Sequence, residues 1–177
     1  SIAVITKDSI KANTWQHLAM TWDGSGYAKG LKLFLNGKPM ELVIEVDNLE
    51  SSILYYGNDK KNWGGMRALG IGRRFDKTMS DAIADECRVF ERELSLLEIE
   101  KLHGEVSNEP DPLQEILSKD RLSGYDAEQL FQYFLKNQSE TYAKMLKALK
   151  KVRGEQTEIS TSQQEVMITK ERKFPRK

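Results

Sequence analysis

The stretch WQHLAMTWDGSGYAKGLKLFLNGKPM, residues 15–40, decides the fold of this chain. Side chains alternate along residues 15–22, which places Leu18, Met20 and Trp22 on one face of an extended segment. Residues 31–35 alternate in the same way, and a period of two is typical of a half-buried strand. Asn36 followed by Gly37 then predicts a tight hairpin, because both central residues of a type I′ turn need positive φ.

An antiparallel meander of three strands is therefore predicted across residues 15–44. Residues 23–30 are a glycine-rich connection between the first two strands, and the third strand runs through Leu42, Val43 and Ile44. Residues 48–65 are predicted to form a long polar loop. Two further short strands are predicted at residues 69–72 and 84–90, so the first part of the chain is mainly β.

Helical signals begin after the last predicted strand. Ser95 and Glu98 have the spacing of a capping box, and apolar residues recur at helical spacing up to Gly104, where the helix is predicted to end. This helix closes the first unit, residues 1–104. A linker with a short helix is predicted at residues 105–125.

A long amphipathic helix is predicted at residues 126–153, followed by a tail, residues 154–177, that leads into a further domain. The helix carries an apolar stripe of residues spaced by three and four: Phe131, Leu135, Gln138, Tyr142, Met145, Leu149 and Val152. A lone helix buries nothing by itself, so this stripe needs a partner. The partner is the β part, another helix or another domain.

Composition narrows the class of protein. The chain has 177 residues, 39% apolar and 31% charged, which suffices for one modest core with an appendage. Basic and acidic residues number 27 each, so no net charge favours nucleic acid or an anionic membrane. No apolar run is long enough to insert into a bilayer. The one cysteine, Cys87, excludes an internal disulfide and a thiolate metal cluster, and its alternating surroundings predict a buried side chain.

Four motifs in order resemble the laminin-G-like family: NTWQHLAMTWDGS at residues 13–25, LKLFLNGKPM at 31–40, LGIGRR at 69–74 and ADECRVFERELSLLEIEKL at 84–102. The resemblance implies an antiparallel β-sandwich of the jelly-roll, concanavalin A-like type, followed here by an α-helical extension. Two departures are visible. Ala82 or a neighbour replaces the usual glycine before the closing strand, and the first strands of the sandwich are missing, which would leave a sheet edge to be covered.

The end of the chain carries a second resemblance. Val166, Met167, Glu171, Pro175 and Arg176 are similar to a motif in planctomycete-type multidomain proteins that combine laminin-G-like with cytochrome c-like and uncharacterised domains. That resemblance implies an exported parent protein, periplasmic or extracellular. It also implies that haem c, if present, is bound outside these residues, since no cysteine-histidine motif occurs here.

The predicted loop at residues 48–65 is the candidate ligand-binding site. Its aromatic rings could stack on sugar rings while amides and a carboxylate bond to hydroxyl groups. The candidate residues are Tyr55, Tyr56, Asn58, Asp59, Asn62 and Trp63. The alternative is that Tyr55 and Trp63 seal the edge of the core.

Two other kinds of chemistry stay open. Glu45, Asp47 and Glu50 follow a spacing used by retaining glucanases, although a strand with Glu41, Glu45 and Asp47 on one face is also what a solvated sheet surface looks like. Calcium is a candidate ligand of loop aspartates, which also serve as turn formers. These aspartates are Asp23, Asp47, Asp59, Asp76 and Asp81.

The sequence indicates no catalytic role for either histidine. His17 lies in the family-like strand, and His103 is placed to complement a helix dipole. The prediction is a non-catalytic binding or spacing module whose partner is a glycan or another domain of the parent. The alternatives are a structural insert and a glycoside hydrolase that uses Glu45 and Glu50.

Overall fold

A computed structural model describes residues 2–49, 73–74, 77–78 and 80–162. Its strands are β1 (Ile2–Thr6), β2 (Leu18–Trp22), β3 (Leu31–Leu35), β4 (Lys38–Pro39), β5 (Leu42–Asp47), β6 (Arg73–Arg74) and β7 (Lys77–Thr78). Its helices are α1 (Leu96–Ser107), α2 (Pro112–Leu117), α3 (Gly124–Asn137) and α4 (Glu140–Ser162), with a 3₁₀ turn at Ala28–Gly30. Antiparallel sheets are present as expected, but the described residues contain more helix than strand, so the complete sandwich stays a prediction.

The predicted hairpin forms as a three-stranded sheet in the order β2, β3, β4. Leu18 pairs with Leu35 and Trp22 with Leu31, so the two long strands match over their full length. Asn36 and Gly37 take positive φ values of 49° and 75°, which confirms the turn chemistry. Strand β2 begins only at Leu18, since the preceding residues form turns and irregular backbone.

The prediction that residues 42–44 form the third strand of the meander is wrong. Strand β4 takes that place, and β5 instead pairs antiparallel with β1 in a separate two-stranded sheet. The register shifts between Ala3 and Val4, which pair with Val46 and Ile44, so Glu45 has no opposite residue. An extra residue of this kind interrupts the alternation of side chains along the strand.

The core lies on one face of the three-stranded sheet. Phe34 is 5% exposed and packs with Leu94 and Ile99, while Ala19 lies at the edge of the same cluster. The opposite face, which carries Leu18 and Met20, is open in the described residues. Helix α1 therefore covers the face of β2 that has the smaller side chains.

The predicted strand at residues 84–90 is wrong. No described residue pairs with this segment, which is irregular, exposed and turned by a positive φ of 52° at Glu86. Arg88 is held instead by side-chain contacts to Glu105 at 2.8 Å and Glu86 at 3.3 Å. Cys87 is exposed rather than buried, because the sheet that would have covered it is not formed by these residues.

Helix α1 begins as predicted and ends later than predicted. The Ser95 hydroxyl accepts from the Glu98 amide, and the Glu98 carboxylate accepts from the Ser95 amide, which completes the capping box. The helix passes Gly104 and ends at Ser107, with Asn108 in the left-handed conformation. Gly104 does not end the helix but allows residue 109 to pack closely against it, since a Cβ at position 104 would lie 3.3 Å from the carbonyl oxygen of Glu109.

The single long helix predicted at residues 126–153 is wrong, because the chain breaks between α3 and α4. The Ser139 hydroxyl accepts from the Tyr142 amide, which gives α4 a start of its own, and Gln138 leaves helical geometry. Helix α3 begins with a second capping box, Ser123 with Asp126. Helix α4 continues to Ser162, so residues 154–162 of the predicted tail are helical. No helix among the described residues is apolar and long enough to cross a bilayer.

Candidate functional site

The candidate glycan-binding residues, Tyr55, Tyr56, Asn58, Asp59, Asn62 and Trp63, lie outside the described residues. The same holds for Glu50 and Asp76. The predicted loop site therefore stays a prediction. In the described residues, a pair of stacked histidine rings and two clefts lie where the three-stranded sheet meets the helices.

Glu45 stands apart from any such geometry. It is an exposed residue of β5 at the register shift, and it lines neither of the two clefts described below. Asp47, on the same strand, has a structural contact, because its carboxylate accepts the Ala28 amide at 2.7 Å and so supports the 3₁₀ turn. The shifted register also breaks the shared face expected for Glu41, Glu45 and Asp47.

Asp23 forms a turn, as the sequence suggested for the aspartates beside glycines. Its carboxylate accepts the Ser25 amide at 2.8 Å next to Gly24, whose φ is 70°. Partial burial acts to raise the pKa of Asp23, but hydrogen bonds from Ser25 outweigh it and lower the pKa. Asp81 is exposed with a positive φ. Across the described ranges no three acidic, histidine or cysteine side chains converge as metal ligands.

The two histidines meet, which the sequence did not predict. Their rings stack with centroids 5.6 Å apart, one ring just before β2 and the other on α1. Each Nδ1 atom is buried and has no hydrogen-bond partner among the residues described. Burial lowers the pKa of His17, and the nearby His103 and Arg88 lower it further. The His17 ring therefore favours its neutral form. No local signal could reveal the pair, because the two residues are far apart in sequence.

A first cleft of about 330 Å³ opens beside His103. Strand β4 contributes Lys38, and α1 contributes Glu100. Burial raises the pKa of Glu100, Glu115 raises it further, and Lys38 opposes the rise. His103 Nε2 lies 3.7 Å from a Glu109 carboxylate oxygen at the rim. The cleft is acidic, but its charged groups partly neutralise one another.

A second cleft of about 390 Å³ lies between the covered face of the sheet and helix α3. The sheet supplies Thr21 and Lys32, while α3 supplies Lys136. Glu93 bridges the two lysines, at 3.6 Å from Lys32 and 3.1 Å from Lys136. We call this site the helix–sheet cleft. Its volume is at the lower end of the range for small-molecule sites.

Residues 1–100 match the family described as the concanavalin A-like lectin/glucanases superfamily, of the laminin G type. The chain belongs to this superfamily. The laminin-G-like resemblance is thereby confirmed, and it covers the three-stranded sheet, the β1–β5 pair and the start of α1. The planctomycete-type and cytochrome c-associated part of the resemblance stays a prediction. No curated protein matches the chain.

One solved structure similar to this superfamily member is that of an S-layer domain-containing protein, residues 221–444, from Clostridium thermocellum. It is 20% identical, with a TM-score of 0.35, and the alignment covers 55% of this chain and 43% of that chain. The chain thus spans less than half of that protein's solved portion. The fold assignment depends on the family match alone.

Proposed function

We propose that this chain is a non-catalytic carbohydrate-binding module of an exported multidomain protein, periplasmic or extracellular. The observation that carries the proposal is the match of residues 1–100 to a superfamily named for lectins and glucanases. Superfamily membership alone does not choose between binding and hydrolysis. The arrangement of the acidic residues supports binding.

Hydrolysis with retention needs two carboxyl groups about 5 Å apart across a bound sugar. Glu45, the described member of the Glu45 and Glu50 pair, is exposed on a two-stranded sheet and lines neither cleft. One Asp47 carboxylate oxygen accepts the backbone amide of Ala28, which gives this residue a structural role. A glycoside hydrolase is therefore the weaker proposal, and Glu45→Gln is expected to leave any glycan binding unchanged.

The loop at residues 55–63 is the proposed glycan site. Tyr55, Tyr56 and Trp63 supply faces that stack on the apolar side of a pyranose ring. Asn58, Asp59 and Asn62 supply groups that bond to its hydroxyls. Asp59 is also one of the candidate calcium ligands, so calcium is tested together with the glycan.

A glycan array tests the proposal, screened with and without calcium. We expect binding by the unaltered chain and its loss in Trp63→Ala. Trp15→Ala is the matched control, because Trp15 is an exposed tryptophan outside the loop. Retained binding in Trp63→Ala would contradict the loop site. A blank array from a folded sample would contradict glycan binding itself.

A structural insert is the second candidate, and one observation favours it. Long side chains of α3 and α4 donate to backbone carbonyls of the β part: Lys136 to Leu94 at 3.3 Å, Lys150 to Glu91 at 3.2 Å and Arg153 to Asp23 at 2.8 Å. Meanwhile Phe131, Met145 and Val152 of the predicted stripe stay exposed. The helices thus contact the β part through polar groups and leave apolar groups for a neighbouring domain.

Hydrogen exchange of the whole chain tests this candidate. Arg153→Ala should speed exchange at the amides of residues 23–30, because it removes the contact to the Asp23 carbonyl. Lys147→Ala, an exposed substitution on the same helix, should not. Equal exchange in both variants would show that α4 does not hold this turn.

A further inference from the structure

Helix α4 has two long faces that differ in what covers them. One face meets the β part through polar groups, where the Lys150 and Arg153 side chains donate to backbone carbonyls. The other face carries apolar side chains that stay largely uncovered in the part of the chain that the structure describes. These are Met145, Leu149, Val152 and Ile159, with exposures of 66%, 41%, 59% and 61%. We call this face the α4 seam.

The α4 seam has the spacing of a contact between two helices. Its apolar residues follow one another at intervals of four and three, and Gln156 takes one place in the series before Ile159. A repeat that averages about 3.5 residues keeps one stripe of a helix turned toward a second helix over several turns. A single polar residue within such a stripe helps to set the register and the partner. The spacing therefore favours an occupant that is itself a helix.

The charges beside the seam are divided along α4. Lys144 and Lys151 lie toward the start of the helix, and Glu155 and Glu158 lie toward its end. Their spacings of seven, four and three residues place all four on one flank of the seam. All four are exposed, and Lys151 Nζ lies 3.8 Å from a Glu155 carboxylate oxygen on the surface of the helix. This flank is thus basic at one end and acidic at the other.

An antiparallel pair of α4 helices would bring these opposite charges together. In such a pair the same flank of both helices meets, so the basic end of one flank lies along the acidic end of the other. With the pair centred near Val152, Lys144 of one copy faces the second copy's Glu158. Lys151 then lies close to the second copy's Glu155. The flank is therefore complementary to itself in this direction.

A parallel pair would have the opposite effect. The flank of one copy would then lie on the side of Lys150 and Arg153 of the other copy, where further basic residues stand. Like charges across a helix pair disfavour that arrangement. The charges on α4 therefore favour a second copy in the antiparallel direction.

We propose that the α4 seam is a self-association surface, on which a second copy of this chain packs its own α4 in the antiparallel direction. Apolar contacts along the seam supply the attraction. The divided charges select the direction, because exposed ion pairs contribute little affinity while like charges penalise the wrong arrangement. The inference goes beyond the proposed function and does not rest on glycan binding.

Sedimentation velocity of the whole chain across a wide range of concentrations tests the proposal. We expect the mass to rise from that of a monomer toward that of a dimer as the concentration increases. Leu149→Asp should weaken the association by about tenfold or more, because a carboxylate would be buried in the seam. Lys147→Asp, an exposed substitution on the back of α4, is the control and should leave the association unchanged. Circular dichroism checks that each variant keeps its helices.

A mixing experiment tests the antiparallel direction. Lys144→Glu with Lys151→Glu makes the flank acidic throughout, and Glu155→Lys with Glu158→Lys makes it basic throughout. Each double variant alone should associate more weakly than the unaltered chain. An equimolar mixture of the two should associate at least as strongly as the unaltered chain, because every facing pair is then of opposite charge.

Three outcomes would overturn the inference. One is a folded chain that stays monomeric at every concentration. The second is association that Leu149→Asp leaves unchanged, which would point to another apolar surface such as the open face of the three-stranded sheet. The third is stronger association of the acidic double variant on its own, because a parallel pair would set its glutamates beside Lys150 and Arg153.

Discussion

The two faces of the three-stranded sheet differ although both carry apolar side chains. One face, with Ala19 and Phe34, packs against the start of α1 and contains the core. The other, with Leu18 and Met20, remains open in the described residues, at 58% and 65% exposure. Alternation shows that two faces exist. Which face is covered depends on what packs against it, and here the covering element is a helix that follows much later in the chain.

The largest expected effect comes from removing a side chain on the covered face. Phe34→Ala should lower the free energy of unfolding by about 3 kcal/mol, because it leaves a cavity beside Ile99. Met20→Ala on the open face should change it by less than about 0.5 kcal/mol. Urea denaturation of the whole chain measures both. A cost above about 2 kcal/mol for Met20→Ala would mean that the open face is covered in solution. The two faces of the sheet would then not differ in burial.

The second prediction concerns the helix cap that holds α1 over the covered face. Burial acts to raise the pKa of Glu98, but hydrogen bonds from Arg92 and Ser95 outweigh it and lower the pKa to about 2. Because this pKa lies below the ordinary value of 4.5, the ionised carboxylate stabilises the fold above pH 4.5. That stabilisation is lost as the pH falls from about 4.5 toward 2.

Glu98→Gln should therefore cost about 2 kcal/mol at neutral pH and progressively less at low pH. Denaturant midpoints measured between pH 7 and pH 3 provide the check. Glu158→Gln, an exposed glutamate on α4, is the matched control and should shift the midpoint little at any pH. A cost for Glu98→Gln that stays constant with pH would show that the carboxylate charge does not hold the cap.

The smallest expected effect concerns the stacked histidines at one end of the covered face. The pKa of His17 is lowered, chiefly by burial, so the unfolded chain binds a proton more readily than the folded one. The free energy of unfolding should then fall as the pH drops through about 6.5, the value for an unfolded histidine. His17→Phe keeps a ring against His103 and should flatten this dependence between pH 7.5 and 5.5. Parallel pH curves for the two proteins would exclude the pair as its source.

Local signals in the sequence predicted local structure well. The Asn36–Gly37 turn and the Ser95 cap were found because a few neighbouring residues decide them. Ser123 and Asp126 have the same spacing, and they cap the start of α3 in the same way. The break before α4 was missed because Gln138 fits the helical spacing of the stripe, although Ser139 is a typical residue for the start of a helix.

Contacts between distant parts of the chain could not be predicted in this way. Pairing of β1 with β5, the irregular path of residues 84–90 and the stack of His17 on His103 all depend on which segments meet in space. The helix–sheet cleft is of the same kind, since Thr21 and Lys136 are far apart in sequence. The candidate site at residues 55–63 was predicted from composition and lies outside the described residues.

The Asn36–Gly37 turn is also a site of slow asparagine deamidation. A glycine after asparagine leaves the next backbone nitrogen unhindered, so it can attack the side-chain amide carbon, expel ammonia and form a succinimide that opens to aspartate or isoaspartate. In the folded sheet the Asn36 side-chain oxygen accepts a hydrogen bond from the His17 backbone N–H at 2.9 Å. The Asn36 backbone N–H donates to the His17 carbonyl oxygen at 2.8 Å. Both hydrogen bonds fix the Asn36 side chain and backbone, and so they slow the attack of the Gly37 nitrogen on the side-chain carbon. The rate of deamidation of aged protein therefore reports how often this end of the sheet opens.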